Sequence, residues 1–189
     1  MSSTTTSTTP TPIPIHYQSL IRTLANAKSI PLIQISTSLG YTKERISRYL
    51  SNPSNPSYSS MRLSTFTRIL TTLNSSLYIR DPFTQEEYSL SSPTSSPTLS
   101  IYVLLKVFMR ERNITAVKIS QILHKGVSSV SNLLNKGSSD ITMTVLQNFL
   151  SILQYDLIVK DMDSPGTEYI LIPPTIPSTT TTPGDTDET

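Results

Sequence analysis

Few side chains in this sequence have the types and spacing that catalysis or metal binding requires. The chain has no cysteine, and its two histidines, His16 and His124, lie far apart with no carboxylate cluster beside either one. Metal sites need several such ligands close together, and enzymes need a nucleophile with a base or a phosphate-binding loop. We find none of these patterns, so we expect a protein that is not an enzyme and that needs no metal or other cofactor.

Four charged side chains lie close together in one short stretch, "YTKERISRYLSN", at residues 41–52. At helical spacing its apolar residues share one face, namely Ile46, Tyr49 and Leu50. The rest of the helix then carries the hydroxyl and charged side chains of Lys43, Glu44, Arg45, Ser47 and Arg48. Such a face is typical either of a solvated helix surface or of a binding surface.

The polar composition is uneven along the chain. Ser and Thr make up nearly a third of the 189 residues, and they are concentrated with proline at residues 1–15, 91–99 and 174–189. These segments have too little apolar surface to offset the entropy of ordering them, so we predict two disordered tails and a linker. The segments between them, 16–90 and 100–173, are the predicted domains.

Neither charge nor hydropathy indicates export or membrane insertion. The formal net charge is +2, the apolar runs are too short to span a bilayer, and the N-terminus lacks the features of a secretory signal. We therefore expect a cytoplasmic protein with no membrane partner.

The chain contains an internal repeat. The stretch "ISTSLGYTKERISRYLSN" at 35–52 returns 84 positions later as "ISQILHKGVSSVSNLLNK", and after a loop four residues shorter the offset becomes 80. The matching positions are mainly apolar at helical spacing, as expected for two copies of one fold with different surfaces. Asp81 and Asp161 also recur before predicted turns, where Asp is common because it bonds to the local backbone.

Each copy has the pattern of four short helices followed by a β-hairpin. In the first copy we predict helices at 17–28 and 31–39, a third helix capped by Thr42, and a fourth at 64–74. Gly40 ends the second of these helices. The period of the apolar residues then changes from 3.6 to 2 in "SLYIRD" and "EEYSL" of the first copy. The same change occurs in "DLIVKD" and "TEYILI" of the second copy, which predicts a hairpin at the end of each copy.

Helices two and three of each copy, joined by a tight turn, make a helix-turn-helix. The pattern resembles the lambda-repressor-like (Cro/repressor, XRE-type) class of DNA-binding domain over residues 17–81 and again over 101–161. The resemblance is carried by Ile35, Ser36, Leu39, Gly40, Ile46 and the stretch "ISRYLSN". It is closest to the subclass that ends in a β-strand, found among antitoxins. The expected fold is mainly α, with two tandem four-helix domains that each end in a hairpin.

The resemblance implies that the third helix enters the major groove of double-stranded DNA, with early residues at the bases and flanking ones at phosphate. In the first copy it implies base or groove contacts by Thr42, Lys43, Glu44 and Ser47, groove or phosphate contacts by Arg45 and Arg48, and a backbone contact by Arg62. In the second copy the equivalent surface is nearly uncharged, and its candidates are Lys125, Ser128, Ser129 and Asn132.

Three arrangements of the two copies are open. In the first, the strands "SLYIRD" and "DLIVKD" form one sheet in an intramolecular pseudo-dimer. In the second, the domains are independent units joined by a flexible linker. In the third, the hairpin edges recruit a second chain to form a homodimer. The expected function is sequence-specific DNA binding by a repressor-like transcriptional regulator. The alternative is an antitoxin or adaptor whose helix-turn-helix surface or hairpin edges bind a protein partner.

Overall fold

A computed structural model describes residues 12–51, 59–90, 100–135 and 141–173. About half of these residues are helical, and the strands form a five-stranded mixed sheet. The first half of the chain contains a short strand, four helices and a hairpin: β1 (Ile13–Ile15), α1 (Tyr17–Ala27), α2 (Leu32–Leu39), α3 (Lys43–Leu50), α4 (Leu63–Thr72), β2 (Ser75–Arg80) and β3 (Glu87–Ser89). The second half repeats this order without the first strand: α5 (Ile101–Glu111), α6 (Ala116–Ile122), α7 (Val127–Asn135), α8 (Met143–Leu153), β4 (Asp156–Asp161) and β5 (Glu168–Leu171).

The predicted helices and hairpins are present, and the local signals act as expected. Gly40 ends α2 in the left-handed conformation with φ +68°, which glycine adopts without steric cost. Thr42 caps α3, because its hydroxyl accepts a hydrogen bond of 3.3 Å from the backbone N–H of Arg45. In the second half His124 takes the left-handed conformation at the position equivalent to Gly40, with φ +50°. The same turn therefore forms without a glycine.

The N-terminal prediction is wrong for residues 13–15. These residues form β1, which pairs in parallel with β5 and places Ile13 opposite Tyr169 and Ile15 opposite Leu171. The carbonyl of Ile15 also accepts a 3.1 Å hydrogen bond from the backbone N–H of Ile172. Ile15 gains burial against the core, and the sheet edge supplies backbone partners that a local composition argument cannot anticipate. The predictions of disorder at residues 1–11, 91–99 and 174–189 lie outside the described residues.

The two halves share one sheet, with strand order β1-β5-β4-β2-β3. Strands β2 and β4 pair antiparallel at its centre, and the register places Tyr78 opposite Ile158. These two residues are 80 positions apart, so they are the same position in the two copies. A position that pairs with its own counterpart lies on a twofold axis. The halves are thus arranged as an intramolecular pseudo-dimer, the first of the three arrangements.

A second self-pairing contact marks the same pseudo-twofold axis. Arg62 and Thr142, also 80 positions apart, form an antiparallel bridge at the starts of α4 and α8. The backbone N–H of Leu63 donates to the carbonyl of Ile141 at 2.8 Å, and the N–H of Met143 donates to the carbonyl of Met61 at 2.7 Å. These two bonds are equivalent under the repeat.

The inner face of the sheet packs on a hydrophobic core to which both halves contribute. Tyr88 of the first hairpin lies edge-on to Phe108 of α5, with ring centroids 5.1 Å apart. Phe108 in turn stacks on Tyr155 at 4.0 Å. Because apolar burial is the main favourable term in folding, this continuous core couples the halves in addition to the strand pairing.

Asp81 and Asp161 have a role that the sequence did not reveal. Each accepts a hydrogen bond from a local backbone N–H, as expected for a turn residue: that of Phe83 at 2.8 Å and that of Asp163 at 3.1 Å. Each also pairs with a cation of the opposite half. The first such pair joins Lys28 to Asp161 at 2.6 Å, and the second joins Arg112 to Asp81 at 2.7 Å.

Candidate nucleic-acid interface

Helix α3 has one buried face and one open face. Ile46, Tyr49 and Leu50 are buried against the core. The exposed side chains include four of the predicted contact residues, Lys43, Glu44, Ser47 and Arg48, which together with Ser51 line a shallow depression. The polar face therefore points to solvent and is free to meet a ligand.

The local sequence fixes where this face begins. The left-handed turn at Gly40 ends α2, and the Thr42 cap starts α3 only two residues later. Ser36 is buried with an exposed fraction of 1%, and its hydroxyl donates to the carbonyl of Ile33 at 2.8 Å. A small side chain at this position lets α2 and α3 approach closely, so the tight turn can hold α3 against the body with its polar side outward.

Arg45 differs from the other cations of α3 because its guanidinium is held by two tyrosines. Its Cζ lies 4.0 Å from the centroid of the Tyr41 ring, and its Nε donates to the hydroxyl of Tyr49 at 3.2 Å. The hydrogen bond to Tyr49 raises the pKa of Arg45 further above its usual value. Tyr41 was not among the predicted site residues, although an aromatic four positions before an arginine is a usable sequence signal for such stacking.

Glu44 provides a fixed negative charge between cations. Hydrogen bonds from its own backbone N–H and from the Thr42 hydroxyl lower the pKa of its carboxyl, and nearby Lys43 and Arg48 act in the same direction. Glu44 is therefore ionised at neutral pH and accepts hydrogen bonds only. A face with a hydrogen-bond acceptor flanked by donors can discriminate between ligands by their arrangement of donors and acceptors as well as by their charge.

Arg62 lies apart from this set in the fold. It is the residue before α4 and forms the bridge to Thr142 at the junction of the halves. Its side chain is exposed. The structure thus places Arg62 on the pseudo-twofold axis and not on α3.

Helix α7 occupies the equivalent position in the second half but has a different surface. Val130 and Leu134 face the core, while the predicted residues Lys125, Ser128, Ser129 and Asn132 are all exposed. Val127, which stands where the first half has Lys43, is 42% exposed. The open face of α7 therefore carries hydroxyl, amide and apolar groups, with Lys125 at its edge as its cation.

Among the described residues no group of His, Asp or Glu side chains is arranged to hold a metal ion. No described helix has the length and apolar character needed to cross a membrane. No protein-family model matches the chain, and no curated protein or solved structure matches it.

Proposed function

We propose that this chain is a sequence-specific double-stranded DNA-binding protein, a cytoplasmic repressor-like transcriptional regulator. Its two halves are tandem lambda-repressor-like (XRE-type) helix-turn-helix domains, α2–α3 and α6–α7, and α3 is the principal recognition helix. The chain acts as a dimer within one molecule and needs no second copy to present two recognition helices.

The observation that carries the proposal is the pairing of two exposed helices, α3 and α7, by one pseudo-twofold axis. Double-stranded DNA has the same symmetry, and dimeric helix-turn-helix proteins match their twofold axis to that of the site. The self-pairing contacts Tyr78–Ile158 and Arg62–Thr142 fix this axis.

The side chains of α3 suit base edges and phosphates. Arg48 and Lys43 are exposed cations, which bind guanine O6 and N7 or phosphate oxygens, and Glu44 can accept from cytosine N4. Arg45, stacked on Tyr41, offers a pre-oriented guanidinium. Because few cations face this surface, we expect a shallower salt dependence of binding than strongly basic proteins show.

Selection of bound DNA from a random duplex pool by the full chain tests the proposal. We expect enrichment of a defined site, and we expect Arg48→Ala and Lys43→Ala each to weaken binding to it about tenfold in a gel-shift titration. Arg110→Ala is the matched control, because it removes one exposed cation from α5 and should leave the affinity nearly unchanged. Failure to enrich any site, or wild-type affinity in both α3 variants, would contradict the proposal.

A second candidate function is an antitoxin or adaptor that binds a protein through the second half. The exposed apolar side chains of Ile122 and Val127, 49% and 42% exposed, favour it, since Ser38 and Lys43 stand at these positions in the first half. Co-purification separates the two: a stoichiometric protein favours the adaptor, and nucleic acid favours the regulator.

A further inference from the structure

The surfaces of α3 and α7 differ at nearly every position that the pseudo-twofold axis makes equivalent. In chain order the first half presents Thr42, Lys43, Glu44, Arg45, Ser47 and Arg48, and the second presents Gly126, Val127, Ser128, Ser129, Ser131 and Asn132. Four ionic side chains are thus replaced by one apolar, two hydroxyl and one amide side chain. The buried positions do not differ in this way, since Ile46 and Leu50 correspond to Val130 and Leu134, which are both apolar.

Equivalent positions of dyad-related helices meet equivalent base pairs of a DNA site. The difference between Arg48 and Asn132 therefore falls on the same base-pair position in the two half-sites. Arginine forms its paired hydrogen bonds with guanine O6 and N7, whereas asparagine forms them with adenine N6 and N7. Both side chains are exposed on the open faces of their helices.

Val127 adds a second difference of the same kind. Its side chain is 42% exposed at the start of α7, and apolar side chains in the major groove contact the methyl group of thymine. Lys43, at the equivalent position of α3, binds guanine or phosphate instead. The α7 surface thus favours A·T pairs at both positions, whereas the α3 surface favours G·C at the position of Arg48.

We infer that the DNA ligand of this protein is a site of two unequal half-sites. The half-site under α3 contains guanine opposite Arg48, and the half-site under α7 contains adenine opposite Asn132 at the symmetric position, with thymine against Val127. This inference rests on the proposed function and assigns its substrate class. Arg48 and Asn132 are the residues that determine the asymmetry.

Selection from a random duplex pool with the full chain and with two reciprocal variants tests the inference. For the wild-type chain we expect a non-palindromic site with guanine in one half and adenine at the symmetric position of the other. Asn132→Arg should shift the second half-site toward guanine and make the site palindromic at that position. Arg48→Asn should shift the first half-site toward adenine, with at least a tenfold preference for the substituted site in direct competition.

Circular dichroism of each variant establishes that the exposed substitutions leave the fold intact. A wild-type site that is palindromic with guanine in both halves would overturn the inference and leave the proposed function standing. Base preferences that are unchanged in both variants would also overturn the inference and leave the proposed function standing. If no DNA is enriched at all, the proposed function fails and the inference fails with it.

Discussion

The Nζ atom of Lys28 lies 2.6 Å from Oδ1 of Asp161 across the junction of the two halves. The side chains are largely buried, with exposed fractions of 11% and 8%. In the equivalent pair, Arg112 and Asp81, the second half supplies the cation and the first half the carboxylate, at 2.7 Å. The repeat has therefore produced two reciprocal ion pairs, one on each side of the pseudo-twofold axis.

We expect Asp161→Asn to lower the free energy of unfolding by about 1–2 kcal/mol, because the Lys28 ammonium then keeps only the more exposed Asp163 as a carboxylate partner and faces a neutral amide on its buried side. Asp156→Asn is the matched control in the same strand. Burial raises the pKa of Asp156 despite the opposing effect of Arg80, so its charge is unfavourable and its removal should be neutral or stabilising. Urea unfolding measures both; equal destabilisation by the two changes would show that the ion pair has no special role.

The shared core predicts that the halves unfold together. Leu77 is fully buried in β2, and Leu77→Ala should cost about 2–5 kcal/mol. Hydrogen exchange should then speed up in α8 of the second half as well as in α4 of the first. Ile33→Ala, at a side chain 53% exposed, should change stability by less than about 0.5 kcal/mol. Exchange that speeds up in the first half alone would mean that the halves unfold independently.

Equivalent turn positions should respond to substitution with opposite signs. A Cβ at Gly40 would meet nothing within 4 Å, so Gly40→Ala costs only the backbone strain of φ +68°, about 1 kcal/mol. His124 already bears that strain at φ +50°, and His124→Gly should stabilise the chain by up to about 1 kcal/mol. Thermal unfolding of the two variants checks the signs. A destabilised His124→Gly variant would indicate that the imidazole makes contacts that outweigh the strain.

A four-charge network on the outer face of the sheet should make stability fall in acid. Arg80 and Lys160 each pair with both Glu87 and Glu168, at distances between 2.5 and 3.3 Å. Burial alone would raise the pKa of Glu87, but the hydrogen bonds and charges of Lys160 and Arg80 outweigh it and lower the pKa. A lowered pKa in the folded state gives stability above the ordinary glutamate pKa of about 4.3, which is lost as the pH falls through the folded-state value.

We therefore expect the melting temperature of the chain to fall below about pH 4. Glu87→Gln should melt lower than the wild-type chain at pH 7, and the difference should narrow as the pH decreases, because the wild-type carboxyl then loses its charge as well. Melting curves between pH 2.5 and pH 7 measure this difference. A difference in melting temperature that stays constant between pH 2.5 and pH 7 would exclude ionisation of Glu87 as its cause.

Much of the candidate site follows from sequence because its determinants are local. Thr42 and Gly40 set the ends of the helices, and the apolar spacing of Ile46, Tyr49 and Leu50 determines which side of α3 is buried. The placement of Arg45 did not follow in the same way. Its stacking on Tyr41 depends on the conformation of the turn between Gly40 and Thr42, so the four-residue spacing suggests the contact but does not determine it.

The helices, the two hairpins, their duplication and the polar face of α3 follow from the amino-acid sequence, because helix caps and periodicity act over a few residues and the repeat is visible in the residue order. Three further features came from the folded chain: β2 pairs with β4 in a register centred on Tyr78 and Ile158, Asp81 and Asp161 bind cations of the opposite half, and residues 13–15 complete the sheet. These contacts join residues far apart in the chain. Which distant partner a strand or charge meets is set by the packing of the whole core, and no local pattern encodes it.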